Sequence, residues 1–246
     1  MSQRGHLQVR EVANALGVAD STAHRLLTVC RRTGYVRQDS AGGPYLPGPV
    51  LHEIALATNS STTLRAAAGE LAKGAAAELD ETVSIAILEG RQCRFVESFE
   101  GTRPMRVPSL LGLLFPAHAT SAGRAILARF DAPELERRFP TKLLERRTHR
   151  TITEWSAFLS ELDRTRKRGW AIEFEETEPG IASVSRVLVD SAGAPKAAIC
   201  VTVPMTRLST AREALPIANV LSAVAAKVQS RLFSSSDPRS TASPDA

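Results

Sequence analysis

Three features of the 246-residue sequence predict an α+β fold in two parts. Two short amphipathic helical patterns, separated by a turn containing Gly17, open the chain. Hairpin-forming strand patterns dominate the second half, interleaved with helical ones. A basic bias marks the first fifty residues, where Arg4, Arg10, Arg25, Arg31, Arg32 and Arg37 stand against Glu11, Asp20 and Asp39.

Val9, Val12, Ala13 and Leu16 recur at helical spacing and Gly17 follows, which predicts a helix over residues 9–16. Asp20 or Ser21 can cap a second helix reaching about Thr33, with Gly34 as its stop. That spacing suits a helix-turn-helix. A strand over 35–38, a turn at 40–44 and Tyr45-Leu46 form a candidate hairpin, the wing of a winged helix-turn-helix. A helical stretch begins at Val50, and the polar run 59–63 is the predicted linker. The expected domains are therefore 1–49, a linker helix and linker over 50–63, a second domain over 64–233, and a disordered tail at 234–246. Within the second domain, helices are expected at 64–79, 120–130, 133–139, 153–168 and 211–233. Strands are expected at 82–88, 93–99, 170–174, 181–189 and 196–203, with a Pro- and Gly-containing loop over 101–119.

Composition excludes several classes. Hydrophobic residues make up 43% and charged residues 23%, ordinary globular usage. The net charge of +5 permits an anionic partner without requiring one. The longest uncharged stretch, 107–123, contains Pro108 and Pro116 and is too short to span a bilayer, so no membrane role is expected. The start of the chain lacks the apolar core of a secretory signal, and a cytoplasmic location is expected. Cys30, Cys93 and Cys200 form no CxxC pair and no metal-ligand spacing. His118 near Ser121, and the thiols of Cys93 and Cys200, are the only catalytic suggestions. No GxSxG, HExxH, P-loop or GxGxxG pattern accompanies them, so neither catalysis nor a cofactor is expected.

On a helical wheel Ala23, Leu26, Leu27 and Cys30 share one side of the second helix. Ser21, Arg25, Thr28 and Arg32 lie nearly opposite, flanked by His24 and Arg31. Hydroxyls near the amino end and arginines beyond them suit a helix in a major groove, where Arg forks onto guanine. A solvated amphipathic face is the competing account, and a small-molecule sensor or interaction module that binds protein rather than DNA is the alternative function. The candidate DNA-contacting set is Ser21, Thr22, His24, Arg25, Thr28, Arg32 and Arg37. In the second domain, Thr120 opens a helix whose first N–H groups favour a carboxylate, with Gly123 permitting close approach. Ordinary capping with tight glycine packing is the alternative.

Residues 9–27, Gly34-Tyr35-Val36 and Pro44-Tyr45-Leu46-Pro47-Gly48 resemble the IclR family of bacterial transcription regulators. The likeness continues through Ala117-His118-Ala119-Thr120-Ser121-Ala122-Gly123-Arg124, Arg168-Gly169-Trp170-Ala171, Glu175-Glu176 ahead of Gly180-Ile181, and Ala197-Ala198-Ile199. Each motif is soft alone, but their order and spacing together are specific. The resemblance implies a winged helix followed by a GAF-like effector-binding domain, assembled as a homodimer or homotetramer on double-stranded operator DNA. It implies a repressor whose operator binding responds to a small molecule. Carried over residue by residue, it places Gly123, Glu173, Ser183, Cys200 and Thr202 in the effector pocket. Leu110, Leu111, Leu113 and Leu114 would form a flap over it, core packing being the other account of them. Cys200 and Thr202 alternate along one strand and so share a face, with a small-residue core as the other reading.

Two departures from the family bear on this. A full helix normally precedes the segment matching Val9, and only eight residues stand there. The expectation is that the first helix lies upstream of this start, and that the chain as it stands binds operator weakly. Arg186 occupies a position where the family often has Pro, which would bring a cation near the effector. The expected effector is a small carboxylate at the start of the Thr120 helix, with a hydroxyl or other donor meeting Glu173; a purely apolar aromatic ligand under the leucine flap is the alternative.

Overall fold

The computed structural model describes residues 7–38, 40 and 42–234, with the backbone alone over 52–66 and 232–234. The tail expected to be disordered lies, from residue 235 onward, outside the described residues, as do Asp39 and Ala41 of the expected hairpin. The chain divides into two compact units, residues 1–62 and 63–246.

In the first unit, α1 (Val9–Leu16) ends where Gly17 takes a φ of 66°, a left-handed conformation open to glycine at no steric cost. Glu11 reaches back to accept the Gln8 N–H at 2.9 Å, closing the first turn. The second helix, α2 (Asp20–Arg32), begins one residue earlier than expected. Ala19 is its N-cap, no side chain caps it, and Asp20 instead places its charge in the first turn. Ala23 and Leu27 are buried, and Leu27 packs with Val36 and Tyr45. Leu26, expected on the buried side, is 45% exposed. The buried seam runs through Ala23, Leu27 and the half-buried Cys30, and Leu26 sits about 100° from Leu27, outside so narrow a stripe.

The wing is a short antiparallel pair, β1 (Val36–Arg37) and β2 (Leu46–Pro47), in register Val36 to Pro47 and Arg37 to Leu46. Gln38 donates its amide to the Gly43 carbonyl at 2.7 Å and braces the turn. Leu7 and Tyr45 exchange backbone hydrogen bonds at 2.8 Å each way. The predicted linker at 59–63 is helical: α3 runs without a break over Pro49–Leu79. Asn, Ser and Thr are weak helix formers rather than breakers, and the run contains neither Gly nor Pro.

The second unit is built on a six-stranded antiparallel sheet of order β5-β4-β3-β8-β7-β6. Its strands are β3 (Thr82–Glu89), β4 (Gln92–Phe99), β5 (Leu114–Pro116), β6 (Ala171–Phe174), β7 (Ile181–Val189) and β8 (Pro195–Pro204). Strand β5 lies inside the expected loop; three residues with two prolines nearby give no readable alternation. The period of two splits β8 between two cores. Ala197, Ile199, Val201 and Val203 pack with alanines of α3 and with Leu221, Val224 and Val228 of α7 (Ala214–Ser234). Ala198 and Cys200 pack on the other face with α4 (Ser121–Leu127) and α6 (Trp155–Arg168). A short helix α5 (Ala132–Arg138) contributes Leu135 to that second core.

Candidate functional site

On α2, Ser21, Thr22, His24, Arg25 and Arg32 are all exposed, and Arg37 is exposed on β1. The helix brings Ser21, Arg25, Thr28 and Arg32 onto one stripe at spacings of three and four. Thr28 is half-buried, and its hydroxyl donates to the His24 carbonyl at 2.8 Å, which occupies its hydrogen. Arg31 donates to Gln38 Oε1 at 3.0 Å and so ties the helix to the wing.

The second unit holds a small cavity of about 30 Å³, opening to about 370 Å³ with the solvent at its mouth counted, on the sheet beside the start of α4. Strand register builds its floor. Glu173 on β6 pairs with Ser183 on β7, which pairs with Thr202 on β8, giving one cross-strand row. Ser185 and Cys200 form the next row. Thr120, which caps α4, closes one wall. Phe95, Leu110, Phe115 and Ile181 supply apolar surface, and Thr177 and Glu178 of the β6–β7 loop complete the lining. Among these described lining residues there is no Lys, Arg or His.

Below the cavity runs a buried chain of hydroxyls. Glu173 Oε1 accepts from Ser183 Oγ at 2.9 Å and Oε2 accepts from the Glu176 N–H at 2.9 Å. Ser121 Oγ stands 2.6 Å from both Ser183 Oγ and Ser185 Oγ and 3.7 Å from Cys200 Sγ. Cys200 Sγ is 3.5 Å from Thr202 Oγ1. Burial pushes the Cys200 thiol up, so it stays protonated and acts here as a small polar wall. The Glu173 loop is pinned by Arg124, which is 1% exposed. Its guanidinium makes a two-pronged pair with Glu176 and donates to the carbonyls of His118 (2.7 Å) and Ile172 (3.3 Å).

Glu173, 2% exposed, has its carboxyl pushed up to about 7, chiefly by burial and further by the neighbouring Glu176 charge. The hydrogen bonds from Glu176 and Ser183, and the Arg124 charge, pull the other way. The folded chain thus keeps this proton up to about pH 7, while the unfolded chain loses it near 4.5. Stability is greatest below 4.5 on this account and falls as pH rises through that window, by about 3 kcal/mol in total. Urea titrations of the natural chain and Glu173→Gln at pH 4.5 and pH 8 measure it. The natural chain should lose that amount relative to the variant, and parallel curves would sink the expectation.

Four of the five expected effector residues, Glu173, Ser183, Cys200 and Thr202, line this cavity. Gly123 does not. Its N–H donates to Thr120 Oγ1 at 2.9 Å, and a Cβ there would collide with the carbonyl of Ala117. Arg186 lies on the opposite face of the sheet, three residues from Ser183, with its guanidinium 3.3 Å from the Gly169 carbonyl. Of the expected leucine flap only Leu110 lines the cavity. Gly112 and Leu113 hydrogen-bond to Phe95 of β4, so this stretch continues as a sheet edge with Leu111, Leu113 and Leu114 exposed. Thr120 matches the helix start that the sequence points to, whereas Thr177, Glu178, Phe95, Phe115 and Ile181 are lining residues that the sequence reading does not assign. Thr177 and Glu178 adjoin the quoted Glu175-Glu176 motif, which was the available signal.

The family profile for the bacterial transcriptional regulator IclR C-terminal domain matches residues 56–230, and the IclR helix-turn-helix domain matches residues 1–40. The chain is similar to the transcriptional repressor IclR of Escherichia coli K12, 29% identical over 210 residues, covering 85% of this chain and 77% of that one. It is also similar to a glycerol operon regulatory protein of Streptomyces coelicolor, 30% identical over 215 residues, with 85% and 82% covered. The crystal structure of IclR from Thermotoga maritima superposes with a TM-score of 0.65 at 25% identity, covering 94% of this chain and 93% of that one. No helix of the described residues is long and apolar enough to cross a membrane. A helix-turn-helix unit followed by an antiparallel-sheet unit with a small cavity on its sheet, matched by both family profiles, makes this chain a member of the IclR family: a ligand-responsive, DNA-binding transcription regulator.

Proposed function

We propose that the chain is a cytoplasmic repressor acting as a homodimer or homotetramer, released from its operator when a small organic acid enters the second unit. The name of the Escherichia coli relative supports the sign of regulation. The observation that carries the effector reading is a buried carboxyl, Glu173, set in a row of hydroxyls at the floor of the cavity. The acid group would lie among Thr120, Thr177, Ser183 and Thr202, and its apolar part against Phe95, Leu110, Phe115 and Ile181. Differential affinity of the acid for the two arrangements of the DNA-binding units would shift their populations. A neutral, hydroxyl-rich ligand is the second reading, favoured by the lack of a lining cation and by the two carboxyls Glu173 and Glu178.

Ser21, Thr22, His24, Arg25, Arg32 and Arg37 would contact DNA, with Arg25 reading a base and Arg32 a phosphate. Arg25→Ala should weaken operator binding by about 1–3 kcal/mol and random duplex far less. Arg32→Ala should weaken both alike and flatten the salt dependence. Fluorescence anisotropy with DNA flanking its own gene, against random duplex, separates the two. Equal losses on operator and random DNA for Arg25→Ala would refute its reading role.

A further inference from the structure

We propose that the cavity admits a carboxylate only together with a proton, held on Glu173 and shared between the carboxyl of the protein and that of the ligand. This rests on the effector reading above and specifies its chemistry. An anion entering a site without a cation needs a strong donor. The helix amide of Gly123 is bound to Thr120 Oγ1, and Arg186 lies on the other face of the sheet. Arg124 faces the same region from α4, but its guanidinium is held by Glu176 and two carbonyls. Thr177 donates its hydroxyl to the Ala119 carbonyl at 2.9 Å. The Thr120 and Thr202 hydroxyls are neutral donors and Glu178 is exposed, so the one buried lining group that can bring a proton is the Glu173 carboxyl, anchored at both oxygens by Ser183 and Glu176.

The other titratable groups around it strengthen the requirement. Glu176 and Glu178 lie on the following loop, and Cys200, a thiol kept protonated by burial, lies on β8. With the Glu176 charge matched by Arg124, an ionised Glu173 beside an ionised ligand would be an unmatched pair of like charges. A proton already on Glu173 below neutrality, or taken from water above it and returned on release, converts that repulsion into an O–H···O⁻ hydrogen bond. The burial that holds the Glu173 carboxyl near neutrality makes the proton available at little cost.

The test uses the full natural chain and isothermal titration with lactate, mandelate and benzoate, and with their amides as uncharged counterparts. Titrations at pH 6 and pH 8.5, each in buffers of different ionisation enthalpy, count protons directly. The acids should bind with uptake of close to one proton at pH 8.5 and little at pH 6, where Glu173 already holds it, and their affinity should fall about tenfold per pH unit above neutrality. The amides should show neither effect. Glu173→Gln, which carries an N–H donor at every pH, should flatten the curve and bind the acids better than the natural chain at pH 8.5. Acid binding that is equal at both pH values, or no binding of any of the acids at pH 6, overturns the proposal. If amides bind where acids do not, the cavity stands as the effector site and the acid chemistry falls. If neither series binds at pH 6, the effector reading of the cavity falls with it for ligands of this size.

Discussion

Arg124→Met should cost the second unit about 3–5 kcal/mol, the usual penalty for removing one partner of a buried ion pair. The remaining Glu176 would be left as a buried charge, and the carbonyls of His118 and Ile172 would lose their donors. Because Glu176 also donates its N–H to Glu173, the loss should reach the cavity floor and not only global stability. Glu176→Gln alone should be milder, since an amide oxygen can still accept from the guanidinium. The double variant Arg124→Met with Glu176→Met should cost less than the sum of the two single Met variants, because no charge is stranded. It should not be neutral, as the two carbonyls and the Ile152 N–H remain unpaired. Urea unfolding of the four variants decides. Additive losses in the double variant would show that the pair does not act as a unit.

That pair marks where the sequence stops being readable. Arg124 and Glu176 stand 52 residues apart, and no local period joins them. Each falls inside a motif that resembles the family, yet nothing in either motif says that they meet. The elements themselves were legible wherever periodicity was long. The sequence pattern bounds strand β7 (Ile181–Val189) and helix α1 to the residue, and β3 and β4 to within one. Short or edge elements were not: β5 has three residues, and its pairing with β4 is set by tertiary contact rather than by pattern. The same period of two that correctly grouped Cys200 with Thr202 also separates Ser183 from Arg186, and applying it there removes the expected cation. The row from Glu173 through Ser183 to Thr202 needed strand order and register. The three strands follow one another in the chain, but their alternation alone does not say which residues stand opposite until the register is set.

Gly123→Ala should destabilise the ligand-free chain by about 3 kcal/mol or more, through overpacking against backbone. The added Cβ would lie 2.5 Å from the Ala117 Cα and closer still to its carbonyl oxygen, where real side chains are essentially never found. Backbone cannot rotate away as a flexible side chain can, so α4 would have to lift from the 117–120 turn. That movement would pull Ser121 from Ser183 and Ser185 and break the hydroxyl chain beneath the cavity. Thr120→Val offers a graded comparison. It removes the hydroxyl that accepts the Gly123 N–H, and loss of such a cap costs about 1 kcal/mol without adding bulk against backbone. Two roles for this glycine then separate cleanly. If it serves packing, unfolding of the ligand-free chain shifts strongly in Gly123→Ala and modestly in Thr120→Val. If its amide instead serves an effector, ligand-free stability is nearly unchanged and only effector affinity falls. The first outcome is expected, because one hydrogen bond already occupies the amide and one carbonyl already fills the space beside the Cα.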